Sequence, residues 1–511
     1  MAKLQKKKKK SVKIALSDKL SDKLSDKLSD KLSDKKPVKV ENTVAEKVAV
    51  GDKKPAKVAS KSAQSVAVCV VNPHAAGIDV GSKSHYVAIG QGSSDVREFG
   101  VYTHDLDELC QYLVASKVTT VALESTGTYW QYLFLKLQDH GLRPILVSGK
   151  FTKNVDGKKT DVLDCQYIQK MHSLGFLPSS FQPDWATETL RYYTRNRENL
   201  IASAASCKVK MQKALRMMNI RLDIALSEIT GITGTAIVEA ILKGETKPSV
   251  LASLAHHRVK KPQAELEASL KGIFRKEYLF ELKQAYALYH VYQTQIAECD
   301  AEISAVLTQQ IEDKEAQNGE QRPEFTRKPK RQRKNAPKFE IEKLAFQLTG
   351  GVDLAVIDGL SGQTLLTIIS EIGPDIDKFA SAKRFASWLR LTPNNKITGG
   401  KIKSSRTPKG KGRLAHALMH VANVIGERSK SGHLHAFFQR IKIKKGSIQA
   451  VVATAHKLAV IIWNMLSKKE QYTAPDTAKL EEKQRLQAIK SIQRKIRSLD
   501  LKAEDLIFTV P

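Results

Sequence analysis

The chain has 511 residues, too many for one ordinary core, so roughly two or three domains with linkers are expected. Its 84 Lys and Arg against 53 Asp and Glu give a formal net charge of +31, far beyond what solubility needs. Such an excess points to a polyanionic partner, nucleic acid first. The sequence offers no uninterrupted apolar stretch that reads as a bilayer span, and the basic start MAKLQKKKKK leads into no apolar signal segment. No membrane partner is expected, and the expected location is the cytoplasm, at the nucleoid. Cys69, Cys110, Cys165, Cys207 and Cys299 are scattered and lack CxxC spacing. They predict reduced, mostly buried thiols rather than disulfides or a zinc site.

Residues 1–65 are rich in Lys, Ser, Asp, Ala and Val, lack aromatics and carry a tandem SDKL repeat. They read as a disordered basic tail, serving either phosphate attraction or solubility alone. Residues 66–184 read as an α/β domain with a mixed sheet. SVAVCVV and AAGIDVGSKSHYVAIGQGSSDVREFGVY supply two or three adjoining strands, LDELCQYLVAS a helix, and VTTVALE a strand ending at Glu124. YWQYLFLKLQDHG predicts a helix ending at Gly141, RPILVSG a strand, and KKTDVLDCQYIQKMHSLG a helix from Thr160 onward. Residues 185–312 are long, polar and heptad-like, and predict antiparallel or coiled-coil helices. Residues 313–338 are a basic linker or nucleic-acid contact, residues 339–470 a second, mostly helical domain, and residues 471–511 a charged amphipathic helix. Within the second domain, IDGLSGQTLLTIISEIG has the look of a helix-hairpin-helix, with an ordinary helical hairpin as the alternative.

Four carboxylates form the candidate catalytic set. Asp79 lies in a strand between small residues (GIDVGS), Glu124 ends a strand where open α/β sheets place their ligands, and Asp161 and Asp164 share one face at a helix start. Hard cations such as Mg²⁺ take oxygen ligands, and a pair of them about 3.5–4 Å apart serves phosphodiester chemistry. Each element has a plainer reading: Asp161 and Asp164 would also complement a helix dipole, and GIDVGS also suits the first phosphate loop of an actin-like ATPase or sugar kinase. The ordered set of four is what favours metal binding. No second glycine-rich phosphate loop of the DxGGG kind accompanies GIDVGS, which counts against the kinase reading.

VNPHAAGIDVGSKSHYVAIG, VALESTGTYW and GKKTDVLDCQYIQ resemble the DEDD transposases of insertion sequences, of the IS-one-ten type. The resemblance extends over LSEITGITGTAIVEAILKGE and FASWLRLTPNNKITGGKIKSSRTPKGKGRLAHALMHVA, nearly everything from Asn72 to Leu466. It implies a ribonuclease H-like (RuvC-like) catalytic domain whose Asp-Glu-Asp-Asp tetrad falls on Asp79, Glu124, Asp161 and Asp164, with Mg²⁺, or Mn²⁺ in its place, as cofactor. It implies as well a helical C-terminal transposase domain whose serine, before a Gly-Gly pair, attacks DNA. Here that position is Thr398. A threonine hydroxyl can be a nucleophile, but β-branching restricts χ1 and crowds the reacting oxygen. Three readings follow: a working Thr398, an inactive copy, or use of Ser404 or Ser405. Independently of the family, Lys396, Lys401, Lys403, Arg406, Lys409, Lys411 and Arg413 crowd this Gly-, Ser- and Thr-rich stretch, and predict phosphate contacts over a merely solvated loop. The expected function is cleavage and rejoining of DNA strands. By resemblance, the partners are donor and target DNA, a structured guide RNA and further copies of the chain in a dimer or tetramer. The rivals are a structure-selective nuclease that uses water, and an inactive nucleic-acid-binding relic.

Overall fold

Alternation along Ala75–Val80 (β1) places Ala76, Ile78 and Val80 on one face of a sheet and Ala75, Gly77 and Asp79 on the other. His85–Ala88 (β2) and Val96–Phe99 (β3) continue antiparallel on one side of β1, while Thr120–Glu124 (β4) and Arg143–Val147 (β5) run parallel on the other. The order is β3-β2-β1-β4-β5. This mixed sheet, with its helices and the helical region that follows, fits a ribonuclease H-like fold. The computed structural model describes residues 69–152, 160–319, 322–331, 335–429, 432–475 and 477–498. The expected basic tail, residues 1–65, lies outside them. Of the run SVAVCVV, the described residues 69–71 form no strand: the amides of Val71 and Asn72 instead donate to the Ser173 carbonyl. Among the described residues the sheet starts at Ala75.

Helices cover both faces. Thr103–Ala115 (α1) and Trp130–Asp139 (α2) bring Leu106, Leu109, Leu113, Leu133 and Leu137 against the Ile78 face. Asp161–Ser173 (α3) lies on the Gly77 face, with Thr160 as its N-cap, accepting from the Leu163 amide. Its approach is unusually close. A Cβ on Gly77 would stand 2.6 Å from the Cys165 carbonyl oxygen and closer still to the Gln169 amide nitrogen.

The long heptad-like region is two helices with a separate cluster between them. Trp185–Met217 (α4) and Lys276–Asn318 (α6) run antiparallel, since Arg197 pairs with Asp300 and Lys213 with Glu281. Between them, Ile232–Leu242 (α5) and three shorter helices enclose a core of their own, including Met211, Leu222, Ile237, Ile241, Leu251 and Leu282. The heptad reading missed that cluster because its helices are too short to show a long period.

The last region packs Ile341–Leu348 (α7), Gly362–Ile372 (α8), Ala382–Trp388 (α9), Arg413–Arg428 (α10), His433–Lys445 (α11) and Ser447–Lys468 (α12) around one core. Leu190 of α4 and Ile303, Leu307 and Ile311 of α6 belong to that core, so the roots of the long helices are built into it. The segment expected as a helix-hairpin-helix, residues 357–373, is a turn followed by one helix, α8, which is buried from Thr364 to Ile372; the 3-10 turn Leu354–Val356 precedes it. One expectation is corrected by α12: its 22 residues, with a window of mean hydropathy 1.4, are long and apolar enough to cross a bilayer by length and composition. The interspersed Thr, Gln, His and Lys hid it as a span, and its stripe of Ala455, Leu458, Ala459, Ile462 and Met465 is consumed by the core. A charged helix, Thr477–Ser498 (α13), follows.

Candidate active site

Register decides where the first two carboxylates sit. Ile78 of β1 is level with Leu123 of β4, so Asp79 and Glu124 are the next residues on neighbouring parallel strands. Val121 and Leu123 face α1 and α2, whereas Thr120, Ala122 and Glu124 face α3: the Thr120 hydroxyl lies 3.0 Å from His172 Nε2, and Ala122 packs on Ile168. Asp79 and Glu124 thus project from the same face at the C-terminal ends of their strands, where an α/β sheet opens toward a ligand.

The helix above completes the set. Because His172 sits over the start of β4 and Cys165 over Gly77, α3 runs opposite to the strands, and its first turn overhangs their C-terminal ends. Asp161 and Asp164 occupy that turn. Electrostatics agree with this placement. The Cys165 thiol is pushed up to about 12, by burial first, with Asp79 and Asp164 both adding to the shift. The Tyr86 hydroxyl, level with Asp79 on β2, is raised chiefly by its hydrogen bond to Glu98, and Asp161 contributes.

The Glu124 carboxylate accepts a hydrogen bond from the buried Thr152 hydroxyl. Beside it an open cleft of about 590 Å³ is lined by residues 124–127 and 148–150. Thr152 and Lys150 were missed from the sequence, although GKFT directly after the RPILVSG strand occupies a sheet's ligand end. As donors, four carboxylates suit a hard divalent cation. Among the described residues, however, no group of three or more His, Cys, Asp or Glu side chains is gathered closely enough to hold one. The backbone brings the four to one end of one face without drawing them into a finished cage.

Thr398 stands elsewhere. Lys396–Thr398 (β6) and Lys401–Ser404 (β7) form an exposed hairpin whose two-residue turn, Gly399 and Gly400, has φ of 56° and 73°. Two consecutive positive φ values are what a Gly-Gly pair adopts without strain. Thr398 pairs with Lys401, and Ile397 with Ile402, which are 61% and 62% exposed. The Glu124 cleft has no wall from this hairpin. Of the predicted phosphate contacts, Lys396, Lys401, Lys403, Arg406 and Lys409 are exposed. Lys411 turns back onto the Thr407 hydroxyl at 3.1 Å, and Arg413 pairs with Glu198 of α4.

Comparison with known proteins bears on both halves. Residues 76–220 match the family model DEDD_Tnp_IS110, described as a transposase, and residues 353–439 match that of the transposase IS116/IS110/IS902 family. Two separate stretches of the chain are thus similar to IS110-type transposases. The chain is 29% identical over 125 residues to the putative transposase y4pF/y4sB of Sinorhizobium fredii, covering 23% of this chain and 32% of that protein. It is 26% identical over 119 residues to the transposase for insertion sequence element IS1111A of Coxiella burnetii, again 23% of this chain and 32% of that protein. The chain thus spans about a third of the length of these curated relatives. The first family match contains all four carboxylates, and the second contains Thr398 and the basic hairpin.

Proposed function

We propose that this chain is a transposase that cuts and rejoins DNA strands to move an insertion sequence, with Asp79, Glu124, Asp161 and Asp164 as metal ligands and Thr398 as nucleophile. The observation that carries it is the register that makes Asp79 and Glu124 neighbours on the sheet face overhung by the first turn of α3. A divalent cation bound there, magnesium or manganese in its place, would supply Lewis-acid polarisation of the scissile phosphate. Thr398 Oγ1 then forms a bond to phosphorus as the bond to the 3′ oxygen breaks. The threonine proton leaves to solvent or a nearby base, and the departing strand ends in a 3′-hydroxyl. A second 3′-hydroxyl attacks the threonyl phosphodiester, restoring Thr398 and joining the strands. One phosphoester is exchanged for another at each step, so no nucleoside triphosphate is consumed.

Thr398 stands on a separate hairpin, so the reading includes closure of the hairpin over the cleft or its supply by a second copy in a dimer or tetramer. A structured guide RNA that pairs with donor and target DNA is part of the same proposal, supported by the family resemblance and by the net charge of +31. So are assembly through the long helices α4 and α6 as a coiled coil, and action at the nucleoid. The test is strand exchange with Mg²⁺ on DNA carrying the element's ends. Asp79→Asn and Glu124→Gln should each abolish cleavage; wild-type cleavage by both would sink the metal reading. The position of Thr398 outside the Glu124 cleft favours one rival, a nuclease that uses water. Thr398→Ala separates the two, because retained strand joining would remove the nucleophile role.

A further inference from the structure

A cleft away from the carboxylates opens along α10, the helix that follows the basic hairpin in the chain. About 1050 Å³ of space lies between α10, residues 329–331 and 335–337, and α7, floored by the start of α8. On α10, Arg413, His416, Ala417 and His420 recur at helical spacing and line one wall; Lys330 and Arg331 line the other.

Charge decides the sign of its ligand. The carboxylates on this cleft are already engaged: Glu198 by Arg413, Glu342 by Arg327 and the Lys330 amide, and Glu340 by Lys343 at 3.7 Å. Among the described residues, Arg331, His416 and His420 have no acidic partner, and all three are exposed. Lys330 Nζ donates to the Leu360 carbonyl, which holds its charge at the floor. Between these donors the walls are apolar, with Ile201, Ala336, Pro337 and Phe339. Donors at the edges and apolar surface between them suit unpaired nucleotides, whose phosphates seek cations and whose bases seek dry faces. A duplex shields its base faces and would leave those walls unused.

We propose that this cleft binds a single-stranded nucleic-acid segment, continuing from the basic hairpin across α10, with Arg331, His416 and His420 as its phosphate contacts. The proposal rests on the nucleic-acid reading above and adds a second site to it. The shared chemistry is a phosphodiester with unpaired bases, which DNA and RNA both supply.

The test is fluorescence anisotropy of the full chain with short poly(dT), poly(U) and a DNA duplex, comparing wild type with the triple variant Arg331→Gln, His416→Gln, His420→Gln. These side chains are exposed, so the variant should melt like the wild type. Binding to poly(dT), poly(U) or both should weaken about tenfold, and the log–log salt slope should fall by about 0.7 from the Arg331 contact. A loss confined to one strand type names that strand as the occupant. Unchanged binding to both strands, or a loss seen only on the duplex, overturns the proposal. A Lys401→Gln, Lys403→Gln variant tests the hairpin separately. If only that variant loses affinity, the cleft proposal fails alone; if neither does, the nucleic-acid reading of the whole region fails with it.

Discussion

At the residue scale, Thr398 is the position where the chain departs from the serine its family resemblance implies. It is exposed on a hairpin whose turn is Gly399–Gly400. In the attack proposed for it, what the methyl changes is the freedom of χ1. Thr398→Ser should therefore raise the yield of covalent protein–DNA adduct, and Thr398→Ala should give none, as read on denaturing gels. A serine variant no better than threonine would show that the methyl does not limit the reaction. Asp184 supplies a second residue-scale expectation. It is the N-cap of α4, accepting from the Thr187 amide at 2.8 Å and from Lys378 Nζ at 2.7 Å. Burial alone would raise its pKa, but these hydrogen bonds outweigh burial and hold it down to about 2. A carboxylate depressed in the folded state stabilises above its unfolded pKa and loses that contribution as pH falls toward the folded one. Wild type should thus lose more stability than Asp184→Asn between about pH 4 and pH 2. Parallel acid-melting curves would remove Asp184 from that role.

At the element scale, the meeting of β1 and α3 places the acids. Asp79 was readable because small residues flank it, and Asp161 and Asp164 because they open a helical period. Gly77 was not singled out, yet it is the residue that lets the α3 backbone lie on the strand. Gly77→Ala would push backbone against backbone, which no side-chain rotation relieves. We expect a cost of about 1–3 kcal/mol and a loss of cleavage larger than the loss of fold, since α3 carries two of the four carboxylates. Thermal melting and cleavage assayed together would check this, and full activity in Gly77→Ala would show that α3 need not sit so close. Other element-scale errors share a cause. SVAVCVV has strand composition, but Val71 and Asn72 have their amides satisfied by the end of α3 rather than by a ladder. Strand propensity describes a half-buried pleated surface, and local sequence does not say whether a partner strand is present.

At the scale of the whole molecule, the long helices and the C-terminal region are one construction. Arg197 and Asp300, 1% and 5% exposed, form a pair at 2.5 Å between α4 and α6. Arg197 also donates to the Asn335 carbonyl and to Gln363 of α8, and the Lys338 amide donates to Asp300. Removing one partner strands a buried charge, so Arg197→Met or Asp300→Leu alone should cost about 3–5 kcal/mol, while the double replacement should recover much of it. Urea melts of the three variants would decide, and additive losses would mean that the pair is not a unit.

The sequence by itself determined the large excess of positive charge, the alternation of strands and helices around Asp79 and Glu124, the helix that begins with Asp161 and Asp164, and the glycine turn after Thr398. These are local or compositional properties, set by periodicity, capping and total charge. Only the tertiary structure decided that Asp79 and Glu124 are neighbours, that the roots of α4 and α6 share the C-terminal core, that α12 spends its apolar stripe inside the protein, and that Thr398 stands apart from the Glu124 cleft. Strand register, helix approach and core sharing depend on contacts between residues far apart in the chain, which a single sequence does not record.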